Sequence, residues 1–471
     1  MTDKSRSAFL RHFIYVFGSQ LIVLISGFIK ALAIPVLLGL SDYGYWQIYV
    51  FYTVHIGLFT FGYGDGLYLK YGGHGFTELP LPRIRSANIV YLGVLMLGKV
   101  ALVAFALTNS DPDRQTVYLA VAANVILLGL ISIVSLTLQA TNELKGYAFI
   151  NSADKVFFTL ALLALLSEDF QTFTYLIGAD IASKLVVLLV LLQRYRPLFL
   201  GSLARRAEGV KEFFDSAGAG IQLLIANLSG MLVLGVGRII VEYQGALGHY
   251  AHYAFSVSLA NVVLISITAL SIVIYPTLRR QPRDNYLLYF DKTTRAYAVF
   301  ALVMLTGYFP ALAFIEQVAP AYQPVAVFLN AMFVITVLQG KMQLVNNTYY
   351  KALRLERPML VANLASLLIA AALSWLGFVW FHSILAVVYA ALVTMLFRVY
   401  ASEIFLLRHM GVKPELQLLA EPLILGGFLL VTSLLSAPVA AGLWLLMGAS
   451  LALIRRAALR AAWQQLRGRR R

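Results

Sequence analysis

The sequence predicts an all-α polytopic membrane protein with about 14 transmembrane helices, arranged as two pseudo-symmetric six-helix lobes plus a C-terminal helix pair. Three observations predict it. The chain is 60% hydrophobic and only 13% charged, with a mean hydropathy of +0.78. A soluble domain carries about 25% charged residues, so this chain lacks the polar surface to cover itself with. Apolar runs of helix-spanning length recur from end to end. Lys and Arg fall in every second connection between those runs, as the positive-inside rule requires.

The expected spans lie near residues 10–36, 44–69, 86–108, 116–140, 146–166, 171–193, 217–240, 248–276, 296–316, 323–350, 358–381, 383–407, 417–436 and 438–456. One set of connections, together with the two ends of the chain, holds 29 Lys and Arg residues. The opposite set holds Arg114 alone, beside Asp42, Asp111, Asp113, Glu168, Asp169 and Glu242. This places both termini and the basic connections in the cytoplasm. The first apolar run is too long for a cleavable signal peptide. The absence of Cys excludes disulfides and thiol chemistry. A net charge of +15 reads as a basic rim facing anionic lipid rather than as a nucleic-acid surface.

The organisation follows: an N-lobe over 1–193, a basic linker over 194–216, a C-lobe over 217–410, the added pair over 411–456 and a basic interfacial tail over 457–471. An internal echo supports the two lobes. Gly18 to Ile22 (GSQLI) matches Gly220 to Leu224 (GIQLL), Ser26-Gly27 matches Ser229-Gly230, and Tyr43 to Phe51 (YGYWQIYVF) matches Leu247 to Phe255 (LGHYAHYAF). Two one-residue slips are needed, and the copies occupy equivalent places in the topology. Duplicated bundles are the usual build of transporters.

Seven cations fall inside expected spans: Lys30, Lys99, Lys155, Lys184, Arg238, Lys341 and Arg398. Asp65, Asp154, Asp180 and Glu403 lie in or near spans. Such charges are costly in a bilayer and must face the bundle interior or a watered cavity, or snorkel. Asp180 and Lys184 share a helix face, and Asp154 adjoins Lys155. Asp65 with Lys70, and Arg398 with Glu403, read as pairs near the inner interface. Lys30 and Arg238, on the opening helices of the two repeats, read as facing each other. Cations outnumber anions, so the interior carries a positive field that suits an anionic cargo such as a phosphate or pyrophosphate head group. Span amides and aromatic faces suit sugars, and equally glue helices together. His55, midway along the second span, reads either as a coupling-proton carrier or as a buried structural histidine. Pro35, Pro276 and Pro310 are expected to kink or end helices, and Gly62, Gly64 and Gly66 to permit close packing or bending. No HExxH, GxSxG or Walker A motif occurs, so no catalytic role or cofactor is expected.

Gly18 with Ser26-Gly27, the corner Pro35-x-x-x-Gly39-x-x-x-Tyr43-Gly44, Phe61-Gly62 with Gly66, and the second-half Arg238 … Ala246-Leu-Gly248-x-Tyr250 together carry a resemblance. The chain resembles the Wzx-type flippases for lipid-linked oligosaccharides, the polysaccharide-transport branch of the MOP exporter superfamily. That resemblance implies two lobes rocking between inward-open and outward-open states. It implies passage of an undecaprenyl-pyrophosphate-linked glycan to the periplasmic leaflet for O-antigen or other polysaccharide, with coupling to H+ or Na+ and with glycan polymerase or assembly proteins as partners. Lys30, Arg238, Lys155, Lys99 and Lys341 would bind the anionic head group. Asp154, Asp180, Lys184, His55 and Asp65 would couple an ion or form charge pairs. Alternative readings are a lipid II flippase or MATE-type exporter of the same superfamily and, from another class, an integral-membrane glycan polymerase or ligase. The short external connections disfavour the last, and the intramembrane charges disfavour a mere scaffold.

Overall fold

A computed structural model describes residues 3–165, 172–279, 282, 285–412 and 420–454. The expected basic tail lies outside the described residues, as do Arg280, Arg283, Lys413, Glu168 and Asp169. The described residues are helical throughout, with no strand among them. Hydrocarbon dictates this: a backbone with no water to bond must satisfy its own N–H and C=O groups.

Over its described residues, each expected span lies on helix. The first six are α1 (Asp3–Leu37), α2 with α3 (Leu40–Val54 and Tyr63–Lys70), α4 (Leu81–Leu107), α5 (Pro112–Ala140), α6 (Leu144–Leu165) and α7 (Phe173–Arg194). Then come α8 (Arg206–Gln244), α9 (Leu247–Arg279), α10 with α11 (Tyr286–Thr306 and Tyr308–Gln317), and α12 with α13 (Ala326–Lys341 and Asn347–Ala352). The last four are α14 (Glu356–Phe381), α15 (Ile384–His409), α16 (Ala420–Leu434) and α17 (Ala437–Ile454). Among the described residues, ten stretches are long and apolar enough to cross a membrane, and α16 and α17 add shorter apolar helices. Large apolar side chains such as Leu97, Leu368, Trp380, Leu423 and Leu430 are exposed along them. A water-facing protein would not show so much contiguous apolar surface.

Three spans are not continuous α-helix. The second breaks into a 3-10 stretch, His55–Thr60, followed by left-handed Phe61 (φ 48°) and Gly62 (φ 75°) before α3 begins. The expected bending near Gly62 is thus a full interruption. The ninth divides at Gly307, ahead of Pro310. The tenth carries a π-helical turn, Met342–Asn346, directly after Lys341.

The chain divides into two compact units: residues 1–255 with 359–376, and residues 256–358 with 377–471. In the first, α1 lies along α6, α4 along α5, and α8 along both α3 and α4. Val134, Leu138, Ile150, Val187 and Leu191 of α5, α6 and α7 fill one core. The start of α4 clamps the connection that leads into α8. Arg85 donates to the carbonyls of Pro197 (2.7 Å) and Ser202 (2.9 Å), Asn88 to Leu198 (3.0 Å) and Ser86 to Ala204 (3.1 Å). Within 194–216, α8 begins at Arg206, so half of the expected linker is helix.

Two crossings in this unit rest on small residues. Where α3 meets α8, a Cβ on Gly62 would stand 2.7 Å from the Gly220 carbonyl carbon and the Ile221 nitrogen, and a Cβ on Gly66 would strike the Ser216 backbone. Helix association in a bilayer depends on such close backbone approach. Lys70 seals this crossing by reaching Glu212 at 2.8 Å; Tyr71 donates to the same carboxylate at 2.9 Å and Ser216 at 3.1 Å. Lys70 therefore pairs with Glu212 and not, as the sequence suggests, with Asp65. The second crossing joins the two copies of the echo. A Cβ on Gly44 would stand 2.8 Å from Leu247 Cδ1, and one on Gly248 3.4 Å from Leu40 Cδ2. Tyr250 donates to the Gln47 carbonyl at 3.2 Å, and the Tyr43 and Phe255 rings meet edge-on at 6.0 Å.

In the second unit, α12 is buried along nearly its whole length and packs against α10, α11, α15 and α16. Trp444 of α17 donates to the Leu302 carbonyl of α10 at 3.3 Å and ties in the added pair.

Candidate functional site

The first unit gathers an intramembrane polar cluster from α1, α2, α5, α6 and α7. Each helix contributes one to three polar side chains, with Asp154, Lys155 and Thr159 all coming from α6. Tyr49 of α2 sits at its centre. Its hydroxyl donates to Asp180 at 2.5 Å and accepts from Asn124 Nδ2 at 2.6 Å. Asp180 also holds Lys184, one turn along α7, in an ion pair. On α6, Lys155 pairs with Asp154 at 2.8 Å. These two pairs are the ones their spacing suggests. Ser26 of α1 bonds Thr159 of α6 at 2.6 Å and fixes the α1–α6 register.

Lys30 differs from these. Its ammonium lies 3.9 Å from the centre of the Phe158 ring, which stacks on Trp46. It is half-buried, and among the described residues no carboxylate lies within ion-pair distance of it. Asp180, Asp154, Lys155 and Lys184 lie near enough to share its electrostatic field. The arrangement is a cation on an aromatic platform, bordered by two neutralised pairs.

Arg238 of α8 forms a second place. It is buried, its guanidinium stands 5.9 Å from the Phe51 ring, and among the described residues it makes no ion pair. The same ring lies tilted at 4.5 Å from His55, whose Nδ1 meets the Phe51 carbonyl at 2.7 Å and whose Nε2 has no hydrogen-bond partner among the described residues. His55 therefore sits at the break of the second span, beside a cation. One turn beyond Arg238, Glu242 is buried and accepts from Tyr118 (2.9 Å) and Tyr52 (3.1 Å). The sequence reading leaves Glu242 in an outer connection; two tyrosines more than a hundred residues away draw it inside. Lys30 and Arg238 do not meet: Lys30 belongs to the α6–α7 group and Arg238 to the α2 break.

Lys99 joins neither place. It is half-buried on α4, between exposed Leu97 and Val100. Asp65 lies in the first turn of α3, half-buried.

Lys341, in the second unit, is almost wholly buried and held by Glu403 of α15 (2.7 Å) and by Glu421 of α16. Glu403 thus pairs with Lys341 and not with Arg398, which donates to Gln339 at 3.1 Å. Glu212, Glu242 and Glu421 are the acidic groups that sequence reasoning missed. Glu212 and Glu242 stand just outside the ends of apolar runs, and Glu421 stands inside the expected 417–436 span, where its charge is the available signal.

Among the described residues no group of His, Asp and Glu side chains could hold a metal ion. No family model and no curated protein matches the sequence. Solved structures do match. One is an inward-facing multidrug resistance MATE family transporter of the MOP superfamily, with a TM-score of 0.54 and 10% identity, covering 82% of this chain and 98% of that one. Another is a MATE transporter in complex with MaD3S, with a TM-score of 0.50 and 10% identity, covering 84% and 95%. The chain is a multi-pass membrane protein with the fold of the MATE transporters of the MOP superfamily.

Proposed function

We propose that the chain is a flippase that moves a lipid-linked oligosaccharide with a pyrophosphate head group from the cytoplasmic to the periplasmic leaflet of a bacterial inner membrane. The observation that carries this is the pair of uncommitted cations, Lys30 and Arg238. Lys155, Lys184 and Lys341 have their charge neutralised by carboxylates, whereas these two offer theirs to an incoming anion. Phe158 and Trp46 beside Lys30, and Phe51 beside Arg238, add aromatic faces suited to sugar rings. Such a site binds a phosphate through charge-assisted hydrogen bonds. Lys155 stands next to this path in a pair that exchange could open. Lys99 and Lys341 are weaker candidates for the head group. An H+ or Na+ gradient drives the cycle, with Asp154, Asp180, Lys184, His55 and Asp65 as coupling groups. The lobes at 1–193 and 217–410 exchange access about the glycine crossings. The 29 basic residues keep both termini in the cytoplasm. Glycan polymerase or assembly proteins are the expected partners.

The fold likeness to a multidrug resistance transporter supports a second reading, export of a drug. Free cations in the interior disfavour a cationic one. The test uses protein in liposomes with fluorescent undecaprenyl-pyrophosphate oligosaccharide on one leaflet. Protein-dependent arrival on the other leaflet, lost in the Lys30→Ala/Arg238→Ala double variant, is expected. No arrival of any glycan, with export of an organic ion instead, would replace the reading. Lengthening of the glycan would point to a polymerase.

A further inference from the structure

The second unit encloses a charge imbalance. Lys341 on α12 offers one ammonium to two carboxylates, Glu403 on α15 and Glu421 on α16, and the three side chains are 2%, 4% and 8% exposed. Both carboxylates accept from the same Nζ, so they lie close together and repel each other. Glu421 Oε1 is buried without a hydrogen-bond partner, and so is the Tyr400 hydroxyl, whose ring lies 5.0 Å from Lys341 Nζ. Tyr297 of α10 faces Glu421, but its hydroxyl donates to the Val337 carbonyl at 2.5 Å. Arg398, on the same helix as Glu403, is turned to Gln339. Among the described residues no second cation stands within ion-pair distance of either acid. A π-helical turn starts at the next residue, Met342, and such turns concentrate at functional positions.

We propose that Lys341, Glu403 and Glu421 form a binding site for one proton, which rests on the open oxygen of Glu421. A buried pair of like charges sharing one counter-ion holds one proton between them, and its titration belongs to the pair. The proton brings the cluster to neutrality. A metal cation is a poor alternative, because Nζ already occupies the point where the carboxylates converge. Binding or release changes what holds α16 to α12 and α15, so the appended helix pair senses the protonation state. The site stands whether or not the cargo is a lipid-linked glycan.

The test is infrared difference spectroscopy of the full chain in lipid nanodiscs, reading the carbonyl band of protonated carboxyl groups. Carboxyl groups elsewhere in the chain supply their own signal, so amplitudes are read as differences between variants. Relative to wild type, Glu421→Gln and Glu403→Gln are each expected to lose one carboxyl, because the remaining acid then ionises against Lys341. Lys341→Met is expected to gain one. An unchanged band in both glutamine variants would overturn the proposal and leave a static ion cluster with water on Glu421. Should Lys341→Met fail to fold, alkaline titration of wild type decides instead: a carboxyl band lost on titration and missing from Glu421→Gln supports the site, and no such band overturns it.

Discussion

Substituting Gly62 by Ala attacks the α3–α8 crossing where left-handed backbone and close helix approach coincide. Two costs add. Gly62 has a φ of 75°, and an L-residue in the left-handed region costs about 1–2 kcal/mol. The new methyl would then stand 2.7 Å from two backbone atoms of α8. Ordinary carbon contact lies at about 3.5–4.0 Å, so the helices must part by about an ångström. Overpacking of this kind costs about 1–3 kcal/mol. The sum is about 2–5 kcal/mol, and it falls on backbone that cannot rotate away. Gly57→Ala is the control: its Cβ would meet Leu224 and Leu228 at 3.8 and 3.9 Å, an ordinary contact. Denaturation by sodium dodecyl sulfate, followed by circular dichroism in mixed micelles, should show Gly62→Ala unfolding at a clearly lower detergent fraction and Gly57→Ala close to wild type. Equal unfolding of the two variants would refute the backbone-contact argument.

Lys30→Ala removes a cation–π contact worth about 0.5–2 kcal/mol, so the fold survives while flipping falls roughly tenfold or more, the value of one charge-assisted hydrogen bond to the head group. Initial rates in liposomes check this, and a full rate would remove Lys30 from the site. Arg238→Ala should act in the same direction with normal membrane insertion, and an active double variant would remove both cations. Tyr49→Phe deprives Asn124 and Asp180 of a shared partner and should cost about 1–3 kcal/mol, read as earlier unfolding in the same detergent titration. Glu212→Gln keeps the Tyr71 and Ser216 bonds but removes the negative charge paired with Lys70, which is 36% exposed; about 1 kcal/mol or less is expected, and a larger loss would mean the pair is better shielded than it looks.

The helices were legible because hydropathy and length act locally: every apolar run of sufficient length is a helix here. The pairs Asp154–Lys155 and Asp180–Lys184 were legible for the same reason, being neighbours or one turn apart. The pairing of Lys70 with Glu212, 142 residues away, was not, nor was that of Lys341 with Glu421, 80 residues away. Helix spacing says nothing about which faces of different helices meet. The pairings of Lys70 with Asp65 and of Arg398 with Glu403 looked reasonable only because nearness in sequence stood in for nearness in space. Gly62 and Gly66 did signal close packing, yet nothing local announced that Phe61 would turn left-handed. That turn belongs to the crossing with α8. Lys30 was identified as a charge in a costly place, but its freedom from carboxylates is a property of the packing.

The crossing of the echoed segments has a consequence for how such a chain evolves. Gly44 receives Leu247 from the other copy, and Gly248 receives Leu40 in return. The exchange is reciprocal in kind but not in register: by the echo Leu247 stands where Tyr43 does and Leu40 where Gln244 does, so each half has changed to suit the other. That mutual fit binds the two copies to a common fate. Enlarging either glycine must be answered by a trimmed leucine in the opposite half, so the halves drift together at this point while free to diverge elsewhere.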